Sequence, residues 1–153
     1  GKHCFQYATA PTIMFEKNSK LTALGSYAFW NLSTLEIYLP DNLKTFSGNT
    51  YVIAHCNDLE YLWIPNTITT AIPANAIMSG NNIRTIELQS GFNISANFSN
   101  CTNLTADSIE RMLYALKNLS GTSAKTLTLG ETNLAKLNDN QIAIATNKNW
   151  TLS

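Results

Sequence analysis

Residues 53–65 read IAHCNDLEYLWIP, and this stretch decides the fold. It holds three anchors at three-residue steps, Ile53, Cys56 and Leu59, followed by an alternating segment at 62–64. The first member of this pattern recurs at steps of 24, 24, 24 and 21 residues. Each unit is too small to bury its own apolar face, so neighbouring units must stack on one another. The five copies are Phe5-Ala8-Pro11, Phe29-Leu32-Leu35, Ile53-Cys56-Leu59, Ile77-Gly80-Ile83 and Phe98-Cys101-Leu104.

Each repeat also carries a short segment in which inward and outward side chains alternate, at 13–15, 37–39, 62–64 and 86–88. Alternation with β-branched and aromatic residues predicts strands that have one buried face. The units that begin at Leu59 and Ile83 show the L-x-x-L-x-L spacing of leucine-rich repeats. We therefore predict an α/β solenoid: a leucine-rich repeat right-handed coil with one short parallel strand per repeat of about 24 residues.

The segments that return from one strand to the next are too short for a full helix. We expect a single helical or 3₁₀ turn in each of the returning arcs 23–29 and 71–77. After Leu104 the pattern changes, because an apolar stripe at helical spacing predicts a helix over 107–119. Asp107 or Ser108 is its expected N-cap.

The last part of the chain continues with a mixture of strand and helix signals. Leucine-rich spacing returns at Ala124-x-x-Leu127-x-Leu129, a second helix is predicted over 139–146, and 150–152 reads as a final strand. We predict one domain over 1–153, in which residues 1–104 are repeats, the first of them truncated. Residues 105–153 then form a helix-rich C-terminal cap over the exposed solenoid end.

Composition narrows the range of partners. Ten basic and ten acidic residues cancel to a net charge of zero, and without a basic stripe we expect no nucleic-acid partner. An apolar run long enough for a membrane span is absent from the sequence. Because Cys56 and Cys101 occupy the same position two repeats apart, they lie too far apart for a disulfide. We predict that the three cysteines, Cys4 included, are buried thiols acting as small hydrophobes.

The repeats resemble the BspA-like leucine-rich repeats of bacterial surface proteins. The resemblance rests on Ala28-Phe29-x-x-Leu32-x-x-Leu35, on the run 56–65 and on the run 98–104, and it covers nearly the whole chain. The tail 126–152 is similar to endings of such arrays in anaerobic gut bacteria, except that Asn149 stands where glycine is usual. The resemblance implies an extracellular or cell-surface role in binding or adhesion, with a signal peptide in the missing upstream part.

The outward side chains of the predicted strands form the candidate ligand-binding site. Met14, Tyr38, Trp63, Glu87 and Thr128 are expected in one column, flanked by Glu36, Tyr61 and Thr85. Exposed aromatic residues on a rigid sheet are good anchors for a protein or a glycan. The ligand-binding residues predicted from this column are Tyr38, Tyr61, Trp63, Glu36 and Glu87. The alternative interpretation is that Tyr38 and Trp63 stack as cross-strand neighbours and only stabilise the sheet.

Two functional hypotheses follow. The first is a non-enzymatic protein- or glycan-binding adhesion module of a bacterial surface or secreted protein. The alternative is a structural terminal segment of a larger cell-wall or phage-tail-like assembly, with the missing upstream repeats as its partner and no ligand of its own. We predict neither an enzyme nor a cofactor or metal site, because no nucleophile has a partner base and Asp58 is the one carboxylate near Asn82 and Asn103.

Overall fold

The computed structural model describes residues 2–47, 51–78 and 82–153. Its strands are β1 (Thr12–Ile13), β2 (Ala23–Gly25), β3 (Phe29–Trp30), β4 (Glu36–Tyr38), β5 (Thr45–Ser47), β6 (Ile53–Ala54), β7 (Tyr61–Ile64), β8 (Thr85–Leu88), β9 (Ala96–Asn97), β10 (Lys125–Thr128) and β11 (Trp150–Leu152). Its helices are α1 (Ala106–Ala115), α2 (Glu131–Leu134) and α3 (Asp139–Thr146), with a 3₁₀ turn at Ala74–Ala76. The anchor Gly80 lies outside the described residues.

The main sheet stacks one strand from each successive repeat. Its order is β1-β4-β7-β8, and every pair is parallel. Ile37, Leu62 and Ile86 are register partners across three of these strands, and all three are fully buried. The outward residues between them are half-buried or exposed. The predicted parallel strands and their inward and outward faces are therefore confirmed.

The prediction of one strand per repeat is wrong for the first repeats. Besides the main sheet, β2 pairs with β5 and β3 pairs with β6, so the described parts of the repeats that begin at Phe5, Phe29 and Ile53 hold two, three and two strand segments. The arc 23–29, expected as a helical turn, is instead strand, turn and strand, because its backbone groups bond to the equivalent positions of the next repeat. The arc 71–77 does contain the expected 3₁₀ turn.

A second sheet holds the C-terminal strands, in the order β11-β10-β9. Leu127 of β10 pairs with Ala96 on one side and with Leu152 on the other. The predicted last strand is confirmed. Thr128, however, pairs with Asn97 in this second sheet and does not continue the column of Tyr38 and Trp63 on the main sheet. Its inclusion in that column was wrong because, within the described ranges, a helix and not another strand lies next to β8 at the edge of the main sheet.

Helix α1 lies beside β8, where the next repeat would otherwise place a strand. The buried hydroxyl of Ser108 accepts a hydrogen bond from the Ile86 backbone N–H at 3.0 Å and donates to the Ile86 carbonyl at 3.3 Å. The Thr105 backbone N–H donates to the Arg84 carbonyl at 3.0 Å. One side chain and one loop amide therefore satisfy the Arg84 and Ile86 backbone groups at this edge of β8.

The bounds and N-cap of α1 differ from the prediction. Thr105, and neither Asp107 nor Ser108, caps the helix by accepting a hydrogen bond from the Ser108 backbone N–H. The helix ends at Ala115 and not at Leu119, because the Ala115 carbonyl and the Lys117 N–H bond to the backbone around Phe92. At this end of the helix, backbone hydrogen bonds to residues 91–92 replace the helical hydrogen bonds that the apolar pattern predicts.

Helix α3 has the bounds that the sequence predicted. Asn138 and Gln141 form a capping box, in which the Asn138 side chain accepts from the Gln141 N–H and the Gln141 side chain accepts from the Asn138 N–H. After the helix, Asn149 adopts a left-handed conformation with φ of 61°. Its side-chain amide donates to the Thr122 carbonyl at 2.7 Å. Asparagine thus replaces glycine at this turn and adds a bond that glycine lacks.

The apolar core runs through all the units. Phe29, Ile53 and Ile77 occupy the first anchor position of successive repeats and are at most 1% exposed. Cys56 and Cys101 are buried as predicted, whereas Cys4 is exposed and does not act as a core hydrophobe. Burial raises the pKa of the Cys101 thiol to about 12. Within residues 2–47, 51–78 and 82–153, no helix has the length and apolar character that a bilayer span requires.

Candidate functional site

The candidate site is the outward surface of the main sheet, which we call the strand face. Tyr38, Trp63 and Glu87 are successive register partners on β4, β7 and β8. Glu36 and Tyr61 are register partners one alternation earlier, on the same face. Tight parallel pairing of the backbone therefore brings the five predicted site residues together on one rigid surface. Their role in binding a ligand stays a prediction.

The rings that meet on this face are those of Tyr38 and Tyr61. Their centroids are 5.1 Å apart and their planes are tilted by 39°. The expected alternative contact, stacking of Tyr38 on Trp63, does not occur among the described residues, although the two backbones pair directly. Side chains on a twisted sheet reach diagonal neighbours as readily as direct ones. Trp63 is half-buried and has no aromatic partner in the described part of the chain, which leaves its indole for other contacts.

The carboxylates of Glu36 and Glu87 accept hydrogen bonds from neutral hydroxyl groups. The Tyr61 hydroxyl donates to Glu87 Oε2 at 2.7 Å, and the Thr12 hydroxyl donates to Glu36 Oε2 at 3.3 Å. Desolvation, and then the negative charge of Glu36, raise the pKa of Tyr38. Desolvation and the hydrogen bond to Glu87 raise the pKa of Tyr61. Both phenols therefore stay neutral at physiological pH.

Two grooves flank the ring pair. The first has a volume of about 320 Å³ and the second about 570 Å³. The first is lined by Met14, Phe15, Lys17, Tyr38, Leu39, Pro40, Asp41 and Trp63. The second is lined by Tyr61, Thr85, Glu87, Leu88, Arg111 and Tyr114. Met14 was expected in this column, and it is 67% exposed at the first groove. The strand face is thus a continuous surface with an aromatic ridge between two concave regions.

The repeat pattern and the stacked parallel strands agree with a comparison against protein-family models. The model of the BspA type leucine-rich repeat region matches residues 1–105 and 50–143, in six copies. The chain belongs to this family. No curated protein and no solved structure matches it.

Membership of the BspA-type repeat family indicates the fold and the general class of function. It indicates a solenoid-like repeat fold and a protein-binding surface repeat module, of a kind that is typically not enzymatic. The parallel strand stacks are the structural counterpart of this match. The family name specifies neither a ligand nor the residues that contact it.

Sequence reasoning missed the contribution of α1 to the second groove. Arg111 and Tyr114 line it, and Tyr114 is 62% exposed. The Arg111 guanidinium pairs with Asp107 at 2.8 Å, one helical turn earlier. A spacing of four residues predicts that ion pair within the helix. No local signal shows that the helix lies against β8, because that placement depends on contacts between distant segments.

A second aromatic group, which was not predicted, lies along the β3 and β6 strands. His3, Tyr27 and Tyr51 stack at successive repeats, with centroid distances of 5.1 and 5.8 Å. Trp30 packs edge-on against Tyr27 and lies 4.3 Å from His55. The 24-residue spacing of these rings was the available signal. Because the rings contact one another between repeats, they stabilise the stacking of the repeats.

The adjacent residues Cys56 and His55 have structural roles. The Cys56 thiol is buried and donates to the Phe29 carbonyl at 3.3 Å, while the adjacent His55 is exposed and packs against Trp30. The two side chains therefore point to different surroundings and do not form a nucleophile and base. In the described part of the chain, no group of three or more His, Cys, Asp or Glu side chains is placed to hold a metal ion.

Proposed function

We propose that this chain is a non-enzymatic protein-binding module of a bacterial surface or secreted protein, and that the strand face contacts the ligand. One observation carries the proposal: the half-buried Tyr38, Tyr61 and Trp63 side chains form a ridge between two grooves on a rigid parallel sheet. Aromatic residues bury a large area at a low entropic cost and dominate binding energy at interfaces. The family match supports a protein ligand before a glycan.

The rest of the proposed architecture supports that role. The strand stack coils as a right-handed solenoid, and α1 with α3 covers its C-terminal end. The bonds from Ser108 to Ile86 support this cap, because they occupy the edge on which a further repeat would pair. A covered edge also suits the second candidate function, a terminal segment of a larger assembly that has no ligand of its own.

The experiment compares the wild-type protein with Trp63→Ala on an array of purified extracellular proteins and an array of glycans. Tyr7→Ala is the matched control, since Tyr7 is a 64% exposed aromatic residue whose backbone bonds to Trp30 on β3, away from the strand face. Circular dichroism establishes that both variants are folded. We expect a protein ligand whose binding Trp63→Ala weakens at least tenfold and Tyr7→Ala leaves unchanged.

Three results would count against the proposal. Equal binding by wild type and Trp63→Ala to every captured protein would remove the strand face as the site. Binding to glycans alone would replace the proposed ligand class. Binding to neither array, together with self-association in solution, would favour the structural terminal segment.

A further inference from the structure

Among the described residues, the carboxylates of the strand face have no cationic partner. Glu36 and Glu87 form no ion pair within the part of the chain that the structure describes, and each accepts a hydrogen bond from a neutral hydroxyl. A carboxylate has two oxygens with about four lone-pair sites, so hydroxyl donors alone leave accepting capacity unused, even at Glu36, where the Tyr38 hydroxyl is a second partner beside Thr12. Their negative charge is held in place without being neutralised.

These two carboxylates lie on either side of the Tyr38–Tyr61 ring pair. Glu36 is the register partner of Tyr61 on the neighbouring strand, and Glu87 accepts from the Tyr61 hydroxyl at 2.7 Å. The raised pKa of Tyr38, which desolvation and then the charges of Glu36 and Glu87 cause, indicates that both carboxylates act on this ring. Aromatic faces carry negative electrostatic potential. The rings and the carboxylates therefore both favour a positively charged ligand group.

The positive charges near the strand face do not cancel the negative charge of Glu36 and Glu87. Arg111 lines the second groove, but its guanidinium pairs with Asp107 at 2.8 Å. Lys17 lines the first groove together with Asp41. By formal charge, Arg111 is offset by Asp107 and Lys17 by Asp41. Glu36 and Glu87 therefore give the face its net negative charge.

We propose that the strand face binds a basic segment of its protein partner, with an arginine side chain against the Tyr38–Tyr61 ring pair and between Glu36 and Glu87. The inference rests on the proposed function, since it names the chemistry of the partner at the same site. Arginine suits the site better than lysine, because a planar guanidinium can stack on an aromatic ring and donate to a carboxylate at the same time. Because the site is partly exposed to solvent, each cation–π contact and each ion pair contributes little binding energy. The combination of these contacts selects the ligand.

The test uses three short peptides as probes: acetyl-GRGRG-amide, acetyl-GKGKG-amide and acetyl-GQGQG-amide. Each is titrated into the ¹⁵N-labelled protein while the amide signals of Tyr38 and Tyr61 and the indole signal of Trp63 are followed by NMR. We expect millimolar binding of the arginine peptide, weaker binding of the lysine peptide and no shift with the glutamine peptide. Raising the salt concentration should weaken the binding of both basic peptides.

Charge-removing variants then locate the interaction. Glu36→Gln and Glu87→Gln should each weaken binding of the arginine peptide about threefold to fivefold, and the double variant should weaken it at least tenfold. Glu131→Gln is the matched control, because it removes the same charge from α2, which lies outside the main sheet. Equal binding of the arginine and glutamine peptides would overturn the proposal. So would equal weakening by the control and the strand-face variants.

The outcomes separate this inference from the function on which it rests. If Trp63→Ala abolishes binding of a captured protein while Glu36→Gln/Glu87→Gln retains it, the strand face binds protein and the basic segment is refuted. If the arginine peptide binds and shifts signals away from the strand face, the inference is also refuted. If both the double variant and Trp63→Ala lose the captured protein and the peptide, both proposals stand.

Discussion

Removing the Ser108 hydroxyl should destabilise the domain strongly for so small a change. Ser108 and Ile86 are both fully buried, and the hydroxyl is at once acceptor for the Ile86 N–H at 3.0 Å and donor to the Ile86 carbonyl at 3.3 Å. Ser108→Ala leaves two buried backbone groups without this partner. An unsatisfied buried group costs about 1–3 kcal/mol, and the longer carbonyl bond contributes at the lower end. We expect a loss of about 2–4 kcal/mol in the free energy of unfolding.

The assay is urea unfolding followed by circular dichroism, with thermal unfolding as a second measurement. For a chain of this length, 1 kcal/mol corresponds to about 2–4 °C, so Tm should fall by roughly 4–16 °C. Ser120→Ala is the control, because this serine is exposed and bonds to the Asn118 side chain. It should change stability by less than about 0.5 kcal/mol.

Hydrogen exchange tests the cause directly. The Ile86 amide should exchange slowly in the wild type and much faster in Ser108→Ala, while the amides of β4 keep their relative protection. A Ser108→Ala protein within about 0.5 kcal/mol of wild type would refute the reasoning. It would mean that water or another group replaces the hydroxyl at the β8 edge.

Three further predictions concern the C-terminal segment and the cysteines. Asn149→Ala should lower the free energy of unfolding in urea by about 1–2 kcal/mol, because alanine lacks the side-chain hydrogen bond and disfavours the left-handed backbone conformation. Asn149→Gly should lower it by less than about 1 kcal/mol, because glycine adopts that conformation readily. Lys148→Met should cost about 1–2 kcal/mol by the same measurement, because the ammonium group donates to two carbonyls at the end of α1, at 3.0 and 2.6 Å. Timed alkylation at pH 8 with mass spectrometry should label Cys4 first and leave Cys56 and Cys101 protected until unfolding. At that pH, four units below a pKa of about 12, roughly 10⁻⁴ of the Cys101 thiol is ionised. Rapid labelling of all three in the folded protein, or an Asn149→Gly variant less stable than Asn149→Ala, would contradict these expectations.

Much of the repeat architecture follows from the sequence alone. The 24-residue period, the burial of anchors such as Phe29, Ile53 and Ile77, and the alternation of strand residues are properties of short segments and their recurrence, although the anchor Leu35 is 49% exposed. Local chemistry likewise determined the bounds of α3, through the Asn138 capping box, and the left-handed turn at Asn149. Five site residues could be placed on one face because period-two alternation and a constant period fix which side chains are neighbours.

Tertiary structure decided what depends on contacts between distant segments. The extra strands β2, β3, β5 and β6 exist because backbone groups in one repeat bond to those of the next, which no single segment encodes. Thr128 lies in the second sheet because α1 occupies the edge of β8, and α1 ends early because its last residues pair with Phe92. On the strand face, the fold selected the Tyr38–Tyr61 ring contact over Tyr38–Trp63 and brought Arg111 and Tyr114 to the second groove. Sequence periodicity specifies which residues recur, whereas side-chain reach across a twisted sheet and competition for backbone hydrogen bonds specify which of them meet.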